Sequence, residues 1–345
     1  MVRMEIRQFG QEEWYQIISQ FEDLSLAQMW EYAEAKAKLG PWKPIRHLFW
    51  KGNEIVGVAQ GVMRTIPLSK RGLVWICRAP LWRKIEGKEN FVLLEEMLKE
   101  LIKYWVKDKK MYLRIAPPLT DKDKNKDFLE NIGFRVCNPN FKWSSAMIDL
   151  AEDEEVLYRR LRKRWRQYFR RLKEQNVFCG VYTSFQALNE LLLDYQALAD
   201  EKGIDISSTH PRFVKELQRL LFDNNKMLVF TAIKNQVVLG RLLIARYGNT
   251  SVAYVIGKNL LGRKLHINHF LYWEAIKEMK RRGYKWFDVG GADPERTPPG
   301  ILHFKEGLGG TPYRLVGEFE AYEGGFISWT IKMMIRRYRK AQALK

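Results

Sequence analysis

Two stretches far apart in this chain repeat one order of elements, and that repetition limits the fold more than any composition figure does. Lys51-Gly52-Asn53-Glu54-Ile55-Val56-Gly57 and Lys234-Asn235-Gln236-Val237-Val238-Leu239-Gly240 both read as a turn leading into a strand. An amphipathic helix follows each, predicted over residues 91–106 and 266–282. Strands come next, at 111–115 and 284–289. Each half then closes alike. Phe128-Leu129-Glu130-Asn131-Ile132-Gly133-Phe134 and Phe304-Lys305-Glu306-Gly307-Leu308-Gly309-Gly310 share an aromatic start and a glycine. A duplicated order predicts two units of one architecture, which 345 residues accommodate at roughly 150 residues per domain.

Helices, a hairpin-like pair of strands, then helix and strand again is the order of an acetyltransferase-like α/β domain. The expected fold class is α/β (α+β), as two tandem acetyltransferase-like (GNAT-like) domains with mixed sheets flanked by helices. No low-complexity linker separates the copies. The boundary is expected within 143–153, where a strand at 146–150 gives way to an acidic helix start. That places the first domain at 1–150 and the second at 151–345, the latter with a basic linking helix and a basic C-terminal helix.

Charge narrows the partners. With 59 Lys+Arg against 40 Asp+Glu the chain carries +19, clustered rather than spread, which favours polyanions such as nucleic acid or an acidic membrane face. The helix predicted over 154–174 commits Leu157, Leu161, Trp165, Phe169 and Leu172 to a core. Arg159, Arg160, Arg162, Lys163, Arg164, Arg166, Arg170, Arg171 and Lys173 crowd its other face, where like charges one turn apart repel. A bound polyanion or small anions from solution would relieve that repulsion. The last helix, predicted over 328–343, sets Ile331, Met334, Ile335 and Tyr338 on one stripe among basic residues. It suits an anionic membrane surface or docking on the second domain with its charges in water.

Cys77, Cys137 and Cys179 lie far apart with no CxxC spacing, so neither a zinc knuckle nor a disulfide framework is indicated. The first residues, MVRMEIRQFGQEEW, lack an apolar signal region, and no run approaches the roughly 18 apolar residues of a membrane span. A cytoplasmic protein is expected.

The run from Gly283 to Gly310, GYKWFDVGGADPERTPPGILHFKEGLGG, reads as the floor of an active site. Its strand stops at Gly290-Gly291, a Pro-rich loop follows, and glycines at 307, 309 and 310 keep the segment around Lys305 short. Other chemistries fit poorly. His266 and His269 are spaced i,i+3 with His303 downstream, but no HExxH or carboxylate cluster accompanies them, so no metal is expected. No GxSxG elbow marks a nucleophile. Acetyl-CoA enzymes of this fold cradle pyrophosphate on a Q/R-x-x-G-x-G/A turn, and Gly257 to His266 lacks its closing G-x-G. No cofactor is expected.

Over nearly its whole length the chain resembles the Fem-type (FemABX) aminoacyl-tRNA-dependent transferases that build peptidoglycan side branches. The resemblance is carried by Gln28-Met29-Trp30 with Lys36, Ile148-Asp149-Leu150, Tyr254, the DVGG at 288–291, and above all Gly300-Ile301 with Phe304-Lys305 and Gly309-Gly310. It implies a compact member without the coiled-coil arm, acting as an aminoacyltransferase. Such an enzyme moves an amino acid from aminoacyl-tRNA, as co-substrate, to the stem peptide of a soluble or lipid-linked peptidoglycan precursor. The ester is already activated, so an amine can attack directly if the site supplies alignment and positive charge.

By this resemblance Lys305 would supply the charge, with Phe304 stacking on the terminal adenosine. Lys36, Arg212 and Tyr254 would grip the precursor. Lys36 is placed on a helix started by a Ser25/Gln28 capping box. Arg162, Arg166 and Arg170 would contact tRNA. The first copy has Leu129 where the second has Lys305, which marks the second as the reacting half. The implied partners are aminoacyl-tRNA, the precursor and peripheral contact with the inner membrane face, and the protein is expected to be a monomer. Two other readings remain: an acetyltransferase-like N-acyltransferase for another amine, and a non-catalytic basic RNA- or membrane-surface-binding protein.

Overall fold

A computed structural model describes residues 1–67, 69–138, 142–203, 206–221, 226–325 and 329–333. The chain first forms β1 (Arg3–Ile6), α1 (Gln11–Ile18), α2 (Trp30–Leu39), β2 (Lys43–Lys51), β3 (Glu54–Thr65), β4 (Gly72–Cys77), α3 (Phe91–Leu101), β5 (Tyr112–Ala116), α4 (Asp123–Ile132) and β6 (Arg135–Val136). It continues with β7 (Ser144–Asp149), α5 (Glu154–Arg160), α6 (Lys163–Glu174), β8 (Phe178–Tyr182), α7 (Phe185–Lys202), α8 (Pro211–Leu221), β9 (Met227–Lys234) and β10 (Val237–Tyr247). The remainder is β11 (Thr250–Lys258), α9 (Leu260–Lys264), α10 (Asn268–Arg281), β12 (Trp286–Asp288), α11 (Pro299–Glu306), β13 (Thr311–Arg314) and β14 (Phe319–Ala321).

Among the described residues these strands make two seven-stranded sheets, ordered β1-β2-β3-β4-β5-β14-β6 and β13-β7-β12-β11-β10-β9-β8. The duplication is plain in the pairing. Each sheet has three antiparallel pairs in sequence, then one parallel pair, β4 with β5 and β11 with β12. The turns read from the sequence close the β2–β3 and β9–β10 hairpins. Gly52 takes φ +60° in the first, and Asn235 and Gln236 take +48° and +65° in the second, the left-handed backbone that tight hairpins need.

The division into units differs from two continuous halves. One unit comprises 1–143 with 314–345, the other 144–313. The reason lies in one strand position of each sheet. Beside β5 the position is filled by β14, which pairs Phe319, Glu320 and Ala321 with Ile115, Arg114 and Leu113. Beside β12 it is filled by β7, from the end of the first half. Each half therefore gives its last strand to the other sheet. Buried polar partners fix the exchange: Tyr112 hydroxyl donates to Glu320, and Arg114 pairs with Glu318.

Three local expectations change. The helix predicted over 154–174 is two helices, because Leu161 and Arg162 are extended, with ψ of 137° and 145°. The break frees the Arg162 N–H to donate to Gly307 O at 3.0 Å. The Ser25/Gln28 capping box does not form. Leu26–Gln28 is a 3₁₀ turn, α2 is capped at Met29, and the buried Gln28 instead accepts from Gln60 N–H at 2.7 Å and donates to Cys77 O at 2.7 Å. The C-terminal helix belongs with the first unit, not the second: residues 329–333 are helical, Ile331 is buried, and Lys332 Nζ lies 2.7 Å from Glu320. Met334, Ile335 and Tyr338, with the basic residues beyond them, lie outside the described residues.

The first core contains a pH-sensitive group. His47 is buried, with Nδ1 at 2.7 Å from Ala59 O and Nε2 at 2.9 Å from Trp105 Nε1, so the neutral ring donates at Nδ1 and accepts at Nε2. Burial pushes its pKa down to about 4, against 6.5 for a free imidazole. Between those values the unfolded chain binds the extra proton, so stability falls as pH drops from about 6.5 towards 4. Urea midpoints across that window should show the loss, and His47→Gln should flatten it.

Candidate active site

The site is built where two parallel strands part. The ladder between β11 and β12 runs Thr250–Trp286, Ser251–Phe287 and Val252–Asp288, then ends. Beyond Asp288 the chain still follows β7, with Val289 N–H donating to Ala146 O at 3.0 Å and Ala292 N–H to Ser144 O at 2.8 Å. The paired part of β11 continues along β10 only, through Lys258. The β11–β12 ladder thus ends at the carboxyl end of two parallel strands, the edge at which open α/β sheets bind ligands.

Asp288 is the fixed point where the ladder ends. It is buried, and it accepts from Gly290 N–H at 2.8 Å, Tyr313 OH at 2.6 Å and the Ser145 hydroxyl. The carboxylate thereby orients the DVGG turn. Gly290 takes φ +76°, and a Cβ there would sit 2.3 Å from Ala253 O and 3.4 Å from Lys305 Nζ. Only glycine permits this approach.

Lys305 comes from α11, which starts at Pro298-Pro299, a favoured opening for a helix. Its Nζ donates to Gly291 O at 2.7 Å. The residue as a whole is partly exposed, yet its ammonium is desolvated. Burial pushes the pKa down to about 8, against the pull of Asp288. The group is mostly charged at neutral pH and close to releasing a proton, which suits a cation meeting a developing oxyanion. In the first unit Leu129, at the matching place in the sequence, is buried in the core.

Phe304 is partly buried in an aromatic cluster. Its ring stacks on Trp165 at 5.8 Å and meets His269 and Tyr272 edge-on, each at 5.0 Å. These contacts anchor α11 to the core. Arg162 braces the same helix through Glu306 at 3.0 Å, His303 O at 3.3 Å and its own N–H on Gly307 O. The structure thus brings together Lys305, Phe304 and Arg162, the last as a strut.

The other expected site residues sit on other elements: Arg166 and Arg170 on α6, Arg212 on α8, Tyr254 on β11 and Lys36 on α2. Arg166 donates to Arg159 O at 2.9 Å, and Arg170 is exposed on α6. Arg212 is exposed at the start of α8, its N–H donating to His210 Nδ1 at 3.2 Å. Tyr254 is desolvated near Tyr195, which raises its pKa. Neither Arg212 nor Tyr254 bonds to Lys305. Lys36 belongs to the first unit, on α2, with Nζ 5.7 Å from the Tyr32 ring and its pKa lowered by burial. Asp288 was legible in the DVGG but not its role, and Ser145 and Tyr313 carried only a weak signal, a serine in an apolar strand and a tyrosine after the paired glycines.

The turn after β11 is closed on itself. Asn259 Oδ1 accepts from Gly262 N–H at 2.8 Å, and a Cβ on Gly262 would meet Leu239 O at 2.0 Å. Gly262→Ala should therefore destabilise the second unit by about 3 kcal/mol, at the upper end for overpacking. A shift in urea midpoint measures it.

Two mixed sheets of this topology, each flanked by helices, give a fold of two tandem GNAT-like domains. Residues 159–306 match the family model of the acetyltransferase (GNAT) domain. A crystal structure of FemX is similar over 96% of this chain and 99% of its own, with a TM-score of 0.77 at 16% identity. The resemblance read from the sequence thus extends to the fold over almost the whole chain. A conserved protein of unknown function from Bacteroides thetaiotaomicron VPI-5482 is similar over 92% and 99%, at TM-score 0.58 and 10% identity. A tandem GNAT protein from the clavulanic acid biosynthesis pathway is similar over 94% and 100%, at TM-score 0.50 and 11% identity. No curated protein matches. Among the described residues no helix is long and apolar enough to cross a membrane.

Proposed function

We propose that this chain is a Fem-type acyltransferase that moves an aminoacyl group from a tRNA ester to an amine on a peptidoglycan precursor. The observation that carries it is the desolvated Lys305 ammonium at the DVGG turn, bonded to Gly291 O at 2.7 Å. In the reaction the precursor amine attacks the ester carbonyl. A C–N bond forms, the C–O bond to the ribose breaks, and the proton lost by the amine ends on the departing ribose oxygen. Lys305 stabilises the oxyanion and can relay that proton, giving its own to the ribose oxygen as it takes up the amine's. Direct attack requires no covalent enzyme intermediate.

The closed turn at Asn259–Gly262 supports a donor other than acetyl-CoA, since its Gly262 N–H is already taken up by Asn259. The test is to incubate the protein with a pool of charged tRNAs and a precursor pentapeptide and look for an added residue by mass spectrometry. Ribonuclease should abolish the product. Acylation that survives ribonuclease and needs acetyl-CoA would replace this donor with the ordinary one of the fold.

A further inference from the structure

The basic helix α6 carries two stripes of cations that do different things. Arg162 and Arg166 are bonded within the protein. Arg164, Tyr168, Arg171 and Gln175, spaced at helical intervals of three to four, form the other stripe. Tyr168, Arg171 and Gln175 of this stripe line a small pocket of about 60 Å³, together with Leu172, Lys264, Leu265 and His266. The pocket is aromatic on one side: Tyr168 and His266 rings lie 4.1 Å apart at 36°. Arg164 Nε donates to Tyr168 OH at 3.1 Å.

Cations converge on this pair. Arg171 and Lys264 are exposed at the rim, and among the described residues neither pairs with a carboxylate. Partial burial lowers the His266 pKa, and Lys258, Arg164 and Arg171 lower it further, so their fields meet at the ring. His266 itself holds a left-handed backbone at φ +57°, which ordinary residues keep only when their surroundings enforce it. Cations around an aromatic pair are the chemistry that takes up an RNA strand, phosphate on the rim and base on the ring. An anionic lipid surface would use the charges but leave the stacked rings without a role.

We infer that the pocket between α6 and the α9–α10 turn is a phosphate-and-base subsite for an RNA strand, formed by Tyr168, Arg171, Lys264 and His266. It rests on the tRNA donor proposed above and assigns that donor's contact to a stripe distinct from Arg162 and Arg166.

The test is fluorescence anisotropy with a labelled RNA hairpin ending in a single-stranded 3′ tail, over a salt series, with secondary structure checked by circular dichroism. Arg171→Glu with Lys264→Glu should weaken binding tenfold or more and make the salt slope shallower by about 1.5, as expected for two lost phosphate contacts. Tyr168→Leu, which keeps the apolar packing, should weaken it fivefold or more with the slope unchanged. Lys103→Glu with Lys107→Glu makes the same charge change on exposed positions of the first unit and should cost less than threefold.

Equal losses in the two double variants, or none in either, overturn the subsite. So does a loss confined to phosphatidylglycerol vesicles with RNA binding intact. Unchanged RNA affinity in the pocket variant alongside normal transfer from charged tRNA removes the subsite and leaves the proposed function standing. Failure of the wild-type chain to bind RNA removes both.

Discussion

Replacing Lys305 by methionine should lower the rate of aminoacyl transfer about a thousandfold while leaving the melting temperature unchanged or higher. Methionine keeps the apolar stem against α11's surroundings and removes only the desolvated ammonium. Its charge is costly to bury, since its pKa falls from 10.5 to about 8. Between those values the unfolded chain holds the proton that the folded chain gives up. The lysine's contribution to stability is therefore least favourable below about pH 8 and improves as pH rises towards 10.5. Catalysis runs the other way. A reaction that needs the cation should lose rate as pH rises through about 8, and that limb should vanish from the methionine variant's residual activity. A pH–rate profile of both proteins decides the point, and near-normal turnover in the variant would remove Lys305 from the mechanism.

Asp288→Ala should destabilise the second unit by about 3 kcal/mol or more, since each buried donor left without its acceptor costs about 1–3 kcal/mol. Three donors lose their acceptor: the Ser145 hydroxyl, Gly290 N–H and Tyr313 OH. The Ser145 hydroxyl also lies 2.9 Å from Gly290 O and can turn its single proton there, so it keeps one partner, while Gly290 N–H is left with none in that network. Asp288→Asn should cost much less, because the amide oxygen still accepts from the backbone and a tyrosine hydroxyl can turn to accept from the amide nitrogen. Urea unfolding of both variants gives the ranking, and transfer should fall in both because the DVGG turn positions the Gly291 carbonyl that holds Lys305. Alanine and asparagine variants of equal stability would show that Asp288 does not organise the turn.

Much of this arrangement could be read from the chain because local chemistry and global fold agree. The hairpin turns at Gly52 and at Asn235-Gln236, and the glycine stop at Gly290-Gly291, are positions where backbone geometry selects residue type. Periodicity placed α3 and α10 for the same reason. What stayed hidden depends on distant contacts. The break at Leu161-Arg162 interrupts an unbroken helical pattern, because its cause is Gly307 O, far along the sequence. Ser25 and Gln28 have the spacing of a capping box, yet Gln28 gains more from bonding Gln60 and Cys77 across the sheet. The exchanged strands escaped for a related reason: β7 and β14 are short, and nothing in a short apolar strand says which of two similar sheets it joins.

That exchange sets the order in which the protein can be completed. A chain emerging from the ribosome has β1 to β6 available early, but the place between β5 and β6 stays empty until residues 319–321 are made. The second sheet waits for nothing after β13. The unit that begins first is therefore the one that finishes last, with β5 and the buried Arg114 and Tyr112 lacking their Glu318 and Glu320 partners while the second unit takes shape. Synthesis through β14 is thus a condition for the first sheet to close, so a chain released before residue 319 should carry an open sheet edge, an exposed target for proteases and aggregation.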